Sequence, residues 1–205
     1  MIETYENIFQ IAVLAACFAF SVYKAASFRS RTWTLLVFFY GSWMLGEIYW
    51  LACLIFFDQT PQISVISDLS WYAANVFLYI LLGHVWPPEE LGKISPVSWL
   101  GPVFAAGMAV FFMFWGEIIS NLIYAGLMGL LLFSAIRRMT DADKAGRNLF
   151  LPVWVLVYVL LLYGMWISSC FWNDAADFQV YYVFDFLLTI SFPFFLPATR
   201  KAVTV

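Results

Sequence analysis

Residues 149–172 read LFLPVWVLVYVLLLYGMWISSCFW, 24 positions without one Asp, Glu, Lys, Arg or His. A helix needs about 20 mostly apolar residues to cross the hydrocarbon core of a bilayer, so this stretch can cross once. The whole chain has the same character, since 64% of its 205 residues are hydrophobic and only 11% are charged. An average soluble domain is about 45–50% apolar and about 25% charged, so the composition excludes a water-soluble globule and a disordered chain.

Six further apolar stretches follow one another with short gaps. The fourth and fifth are separated only by a turn around Gly116, and one helix over both would be too long for a single crossing. The sequence therefore predicts an all-α integral membrane protein that forms one domain over residues 1–205. Its seven predicted transmembrane helices are Asn7–Ala26, Trp33–Phe57, Asp68–Val85, Trp99–Trp115, Glu117–Ile136, Leu149–Trp172 and Phe178–Pro197.

The basic residues all fall on one side of a seven-helix topology, whereas six or eight crossings would divide them. Lys and Arg are enriched in cytoplasmic loops, so the pattern predicts an N-terminus outside the cell and a C-terminus in the cytoplasm. The outer loops are acidic or neutral and carry Asp58, Asp174 and Asp177. The ten basic residues are Lys24, Arg29, Arg31, Lys93, Arg137, Arg138, Lys144, Arg147, Arg200 and Lys201.

A weak internal similarity relates the two halves of the chain. The second predicted helix contains Tyr40-Gly41-Ser42-Trp43, and the sixth contains Tyr163-Gly164-Met165-Trp166. This is compatible with a 3+1+3 arrangement, in which parallel repeats 7–85 and 117–197 are joined by a linker helix, 99–115. A fourth helix that simply faces lipid would also explain why residues 103–114 carry no polar side chain.

Two carboxyl groups lie inside predicted membrane helices, Glu47 in the second and Asp185 in the seventh. Ionisable side chains within a membrane are expensive and are functional candidates for that reason. Six of the seven helices carry a polar or aromatic stripe weighted toward the outer leaflet, and such stripes must face the bundle interior or a wet cavity. The sequence therefore predicts an outward-facing pocket with acidic and aromatic walls.

Carboxylates together with Trp and Tyr faces suit a small cation. We expect Glu47 and Asp185 to bind the cation or a proton, and Asn75 and Asn121 to orient the ligand. No basic side chain is expected beside the two carboxyls, so one or both would be protonated. The alternative is that the carboxyls hold helices together through hydrogen bonds and that the aromatic stripes are packing. The expected walls are Trp43, Trp50, Tyr72 and Tyr181.

Several classes of protein are disfavoured by what the sequence lacks. The single histidine, His84, lies at a predicted membrane edge, which argues against a zinc site, so we expect no metal and no cofactor. The last predicted helix has no lysine for a retinal Schiff base. The net charge of −3 argues against a nucleic-acid partner. The expected partners are the lipid bilayer and a small cationic ligand.

The favoured interpretation is a small-solute transporter or ligand-binding membrane protein without catalytic residues. One alternative is a receptor-like sensor that signals through a separate cytoplasmic partner docked on Arg137–Arg147. The other is an intramembrane enzyme acting on lipid, in which Glu47 and Asp185 would supply acid and base. The sequence does not choose between a cytoplasmic protein partner and a homo-oligomer.

Overall fold

The computed structural model describes residues 2–61, 64–145, 148–171 and 179–203, and these residues form helices and turns without a strand. Three short 3-10 turns cover Pro88–Glu90, Pro96–Trp99 and Phe192–Phe194. The α-helices are α1 (Ile2–Phe28), α2 (Arg31–Phe57), α3 (Val65–Val85), α4 (Leu100–Phe112), α5 (Ile118–Ala145), α6 (Phe150–Phe171), α7 (Val180–Ser191) and α8 (Phe195–Val203).

Within the described residues, six helical segments are long and apolar enough to cross a bilayer. One of them runs through α7, the 3-10 turn and α8 as a single stretch, Val180–Ala202. Pro193 lies at the turn, where its missing N–H and its ring interrupt the regular helix. Large apolar side chains point outward, with Phe56 78% and Ile119 74% exposed, as a lipid-facing surface requires. The all-α, multi-pass membrane character predicted from the sequence is thus supported.

The fourth predicted crossing is shorter than the other six. Helical structure covers Pro96–Phe112, 17 residues, and ends before the predicted boundary at Trp115. The expected turn is present at Gly116, whose φ of +69° favours a residue without a side chain. A count of seven crossings therefore stays a prediction. Arg147, Trp172, Asp174, Asp177 and Phe178, which were used in the sequence argument, lie outside the described residues.

Helices α3 and α5 lie side by side and run in the same direction. Near their first turns, Ser120 Oγ donates a hydrogen bond to Asp68 Oδ2 at 3.4 Å. At their other ends, Arg138 Nη2 donates to the Trp86 carbonyl oxygen at 2.7 Å. The chain between them, which contains α4, therefore returns along the length of the bundle.

Helices α1 and α7 also begin together, because Gln10 Nε2 lies 3.3 Å from Asp185 Oδ1. The α2 helix ends at the same place, since Trp50 Nε1 donates to Glu3 Oε1 at 3.0 Å. We call this the N-terminal end of the bundle. The described basic side chains lie toward the opposite end, at the α1–α2 turn, the ends of α3 and α5, and α8.

Candidate functional site

A buried cavity of about 70 Å³ lies near the N-terminal end, between α1, α2, α3, α5, α6 and α7. Three carboxyl groups from three different helices line it: Glu6, Glu47 and Asp185. Their side chains are only 2%, 7% and 4% exposed. The described residues of the lining include no Lys, Arg or His. The cavity is therefore acidic, and its own walls supply no counter-charge.

Amide and indole groups donate hydrogen bonds to these carboxyls, and Asp185 also has side-chain hydrogen bonds with Glu6 and Tyr181. Asp185 accepts from Gln10 Nε2 at 3.3 Å, and Glu6 Oε2 accepts from Asn7 Nδ2 at 3.2 Å. Glu47 Oε1 accepts from Trp71 Nε1 at 3.0 Å. These bonds orient the three carboxyl groups, and the bond between Glu6 and Asp185 requires a proton on one of the two.

Two polar atoms in the cavity wall are buried and lack a hydrogen-bond partner within the described part of the chain. They are Glu6 Oε1, an acceptor, and Trp43 Nε1, a donor on a side chain that is 4% exposed. Buried polar groups in folded proteins are nearly always hydrogen-bonded, to protein or to ordered water. Glu6 and Trp43 both belong to the lining, so an acceptor and a donor without partners in the described residues lie beside the cavity.

A row of three indoles forms one wall. The Trp71 ring lies between Trp43 and Trp50, with centroid distances of 6.2 Å and 5.9 Å. Tyr124, Trp166 and Tyr181 add further aromatic surface. The faces of such rings carry negative potential and attract cations. The aromatic wall and the carboxyls therefore both favour a positively charged ligand.

A second, larger cavity of about 320 Å³ lies beside the first, among α4, α5 and α6. Tyr124 and Trp166 line both cavities, and their rings contact each other at a centroid distance of 4.6 Å. Among the described residues, no charged side chain lines the second cavity. Its one buried hydroxyl without a partner in the described residues belongs to Tyr163. The two cavities are thus neighbours of different chemistry, separated by one aromatic pair.

Five of the eight residues selected from the sequence line the acidic cavity. They are Glu47, Asp185, Trp43, Trp50 and Tyr181. They meet because α2 and α7 both present their polar stripes toward α1. That they bind a ligand stays a prediction.

The other three selected residues lie elsewhere and already have partners in the protein. Asn75 donates to the Trp71 carbonyl oxygen at 2.9 Å and accepts from the Tyr158 hydroxyl at 3.0 Å. Asn121 donates to the Phe112 and Trp115 carbonyl oxygens at 2.8 Å and 2.7 Å, which satisfies the end of α4. The Tyr72 hydroxyl bonds to Ser120 at 2.6 Å. Asn121 also lines the second cavity described above. That these three residues contact a ligand stays a prediction.

Glu6 is the functional candidate that the sequence argument missed. The first crossing was predicted to begin at Asn7, which left Glu6 in the outer tail. Helix α1 instead begins at Ile2, so Glu6 lies in its second turn and is buried. The signal was present in the spacing, because Glu3, Asn7 and Gln10 follow each other at helical steps and share a face with Glu6.

The described residues contain no group of three or more His, Cys, Asp or Glu side chains arranged to hold a metal ion. The Glu6 and Asp185 carboxyls nevertheless lie within hydrogen-bonding distance of each other.

Together, the fold and this cavity define a helical, membrane-type bundle with a buried acidic and aromatic interior. No family model, no curated protein and no solved structure matches the chain. Its function is therefore argued from the cavity itself.

Proposed function

We propose that the protein is a small-solute transporter or ligand-binding membrane protein whose acidic cavity binds a small organic cation or a proton. The observation that carries this proposal is that Glu6, Glu47 and Asp185 line one cavity whose walls, as far as the structure describes them, contain no basic side chain. Carboxylates removed from water are strongly disfavoured unless their charge is balanced. Protons or a bound cation must supply that balance.

The size and polarity of the cavity indicate the class of solute. One water molecule, which has a single non-hydrogen atom, needs a cavity volume of about 10–15 Å³. A cavity of about 70 Å³ therefore admits a solute of about five non-hydrogen atoms. An ammonium group would donate to Glu6 Oε1 and face the indole wall, and an oxygen on the same solute would accept from Trp43 Nε1. A small amino alcohol such as ethanolamine has both groups.

The test is ligand-dependent melting of the purified protein with three probes of similar size: ethanolamine, propylamine and ethylene glycol. A ligand that binds only the folded state raises the apparent melting temperature with its occupancy. We expect a saturable rise for ethanolamine, a smaller one for propylamine and none for ethylene glycol. Glu47→Gln and Asp185→Asn should abolish the rise.

Asp68→Asn is the matched control, because Asp68 lies at the same end of the bundle, bonds to Ser64 and Ser120, and does not line the cavity. This variant should keep the wild-type response to ethanolamine. If no probe shifts the wild type while the Glu47 and Asp185 variants melt lower, the carboxyls only hold helices together and the proposal fails.

Uptake of labelled ethanolamine into proteoliposomes separates a transporter from a ligand-binding protein. A transporter should give saturable uptake that Glu47→Gln removes and Asp68→Asn preserves. Binding without uptake would identify the protein as a ligand-binding protein of the membrane.

The proposal includes seven crossings with the N-terminus outside and the C-terminus in the cytoplasm. The count of seven crossings is supported by the shared direction of α3 and α5, which requires the intervening chain to return along the bundle. At about 1.5 Å per residue in α4 and about 2.0 Å in the preceding turn, Pro96–Phe112 is about 27 Å long. That approaches the hydrocarbon thickness of about 30 Å. The separation of basic from acidic ends supports the orientation.

Cysteine labelling tests this topology in a background without Cys17, Cys53 and Cys170. A membrane-impermeant maleimide applied to intact cells should label Gln59→Cys. It should label Lys93→Cys only after the cells are made permeable. The reverse result would invert the orientation. Glu117→Cys, which lies beyond the end of α4, should be labelled in intact cells like Gln59→Cys, and its protection there would remove the fourth crossing.

The two parallel repeats, 7–85 and 117–197 joined by 99–115, remain part of the proposal because both triplets have the same order and directions. One contact argues against a close repeat. Gly41 faces Phe18 of α1, whereas its counterpart Gly164 faces Phe184 of α7 rather than a residue of α5.

A further inference from the structure

A second candidate binding site lies at the end of the bundle opposite the acidic cavity. It is a groove of about 570 Å³ along the ends of α3 and α5, with Arg31 at the start of α2 on its rim. Arg31, Arg137 and Arg138 line it together with His84, against one acidic side chain, Glu89. The groove therefore has an excess of fixed positive charge.

Arg138 is the most unusual of these residues because it is only 4% exposed. Its Nη1 and Nη2 atoms donate to the carbonyl oxygens of Ser134 and Trp86 at 3.1 Å and 2.7 Å. Its Nε has no partner, and none of its hydrogen bonds within the described chain goes to a carboxylate. A buried guanidinium without a counter-ion is unfavourable. An anion in the groove would balance it.

The groove continues from the arginines onto an apolar surface. Ile80 of α3 and Leu130 of α5 line this part and are 37% and 49% exposed. Gly83 also lines the groove, and a Cβ atom there would meet nothing within 4 Å, so the space beside it is open. A site that is cationic at one end and apolar along its length matches an amphiphile with an anionic head.

We propose that this groove binds one anionic phospholipid, with its phosphate at Arg137 and Arg138 and an acyl chain along Ile80 and Leu130. A lipid is favoured over a soluble phosphate because the apolar part is continuous with the cationic part. A net-anionic headgroup is favoured over a zwitterionic one because the three arginines would repel a headgroup cation. Basic pockets between helices on the cytoplasmic side are suited to such headgroups.

The test is native mass spectrometry of the purified protein with phosphatidylglycerol and phosphatidylcholine that carry identical acyl chains. The wild type should retain one phosphatidylglycerol in preference to phosphatidylcholine. An arginine at the membrane surface contributes about fivefold in affinity for a net-anionic lipid over a neutral one, so Arg31→Gln and Arg137→Gln should each reduce the preference by about that factor. Both leave Arg138, which joins α5 to the end of α3, in place.

Lys24→Gln is the matched control, because it removes one positive charge at the same end of the bundle but outside the groove. It should leave the lipid preference within twofold of the wild type. Equal retention of both lipids, or an equal loss in Lys24→Gln, would overturn the proposal. Displacement of the lipid by millimolar glycerol 3-phosphate would show an anion site without a lipid role and would equally overturn it. These outcomes are independent of amine binding in the acidic cavity.

Discussion

Gly46→Ala provides a direct test of how the cavity wall is held. A Cβ atom at position 46 would lie 2.6 Å from Trp71 Nε1 and 3.0 Å from Trp71 Cδ1. Ordinary contacts between heavy atoms are about 3.5–4.0 Å, so the Trp71 ring must move by about 1 Å. The ring cannot do so without disturbing its hydrogen bond to Glu47.

The expected loss of stability in Gly46→Ala follows from two opposing effects. Overpacking of this kind costs about 1–3 kcal/mol, and alanine is favoured over glycine in a helix by about 0.5–1 kcal/mol. We expect a net destabilisation of about 1–2 kcal/mol, which corresponds to a fall of about 2–8 °C in melting temperature for a chain of this size. Because Trp71 lies in the cavity wall, ethanolamine should also stabilise the variant less than the wild type.

Gly126→Ala is the matched control, since a Cβ atom there meets nothing within 4 Å. It should melt at or slightly above the wild-type temperature because only the helix preference changes. Thermal melting of both variants in the same detergent provides the measurement. If Gly46→Ala is as stable as Gly126→Ala and binds ethanolamine normally, α2 and α3 do not approach as closely as described and the reasoning is refuted.

Four further substitutions test individual contacts. Tyr40→Phe removes the 2.8 Å hydrogen bond from the buried Tyr40 hydroxyl to the Phe192 carbonyl oxygen, so melting should show a loss of about 1 kcal/mol. Asn121→Ala frees two carbonyl groups at the end of α4. It should speed amide exchange over residues 113–117 while leaving ethanolamine binding unchanged, and lost binding would restore Asn121 to the site. Asn75 and Tyr158 share one 3.0 Å hydrogen bond. A double-mutant cycle of Asn75→Leu and Tyr158→Phe should therefore give a coupling free energy of about 1 kcal/mol, whereas additive losses of stability would exclude that bond.

The helical membrane character was predictable because it depends on composition and on runs of apolar residues, which need no knowledge of packing. The positions of Glu47 and Asp185 at an interior face were predictable for a similar reason, since helical periodicity places them on polar stripes. The contacts of the other selected side chains could not be predicted in this way. Whether an amide such as Asn121 faces a cavity or a nearby backbone carbonyl depends on the local end of α4, and periodicity does not report that.

Glu6 shows a different limit. A hydropathy window treats a polar first turn as a tail, so it places the helix boundary after the acidic residue. The burial of Glu6 arises from the contact between α1 and α7, two segments about 180 residues apart in the chain. No local pattern encodes that pairing. The lengths of α4 and its turn were likewise set by the Gly116 conformation and the Asn121 cap rather than by the apolar run itself.

The row formed by Trp43, Trp71 and Trp50 gives the cavity an optical signature of its own. Indole rings with centroids 6.2 Å and 5.9 Å apart, inclined at 38° and 36°, are close enough for their electronic transitions to couple. Such coupling produces paired bands of opposite sign in circular dichroism, and their amplitude changes steeply with small rotations of the rings. A solute that contacts this wall would alter that signal directly, so occupancy of the cavity can be followed in the unmodified protein without a fluorescent label.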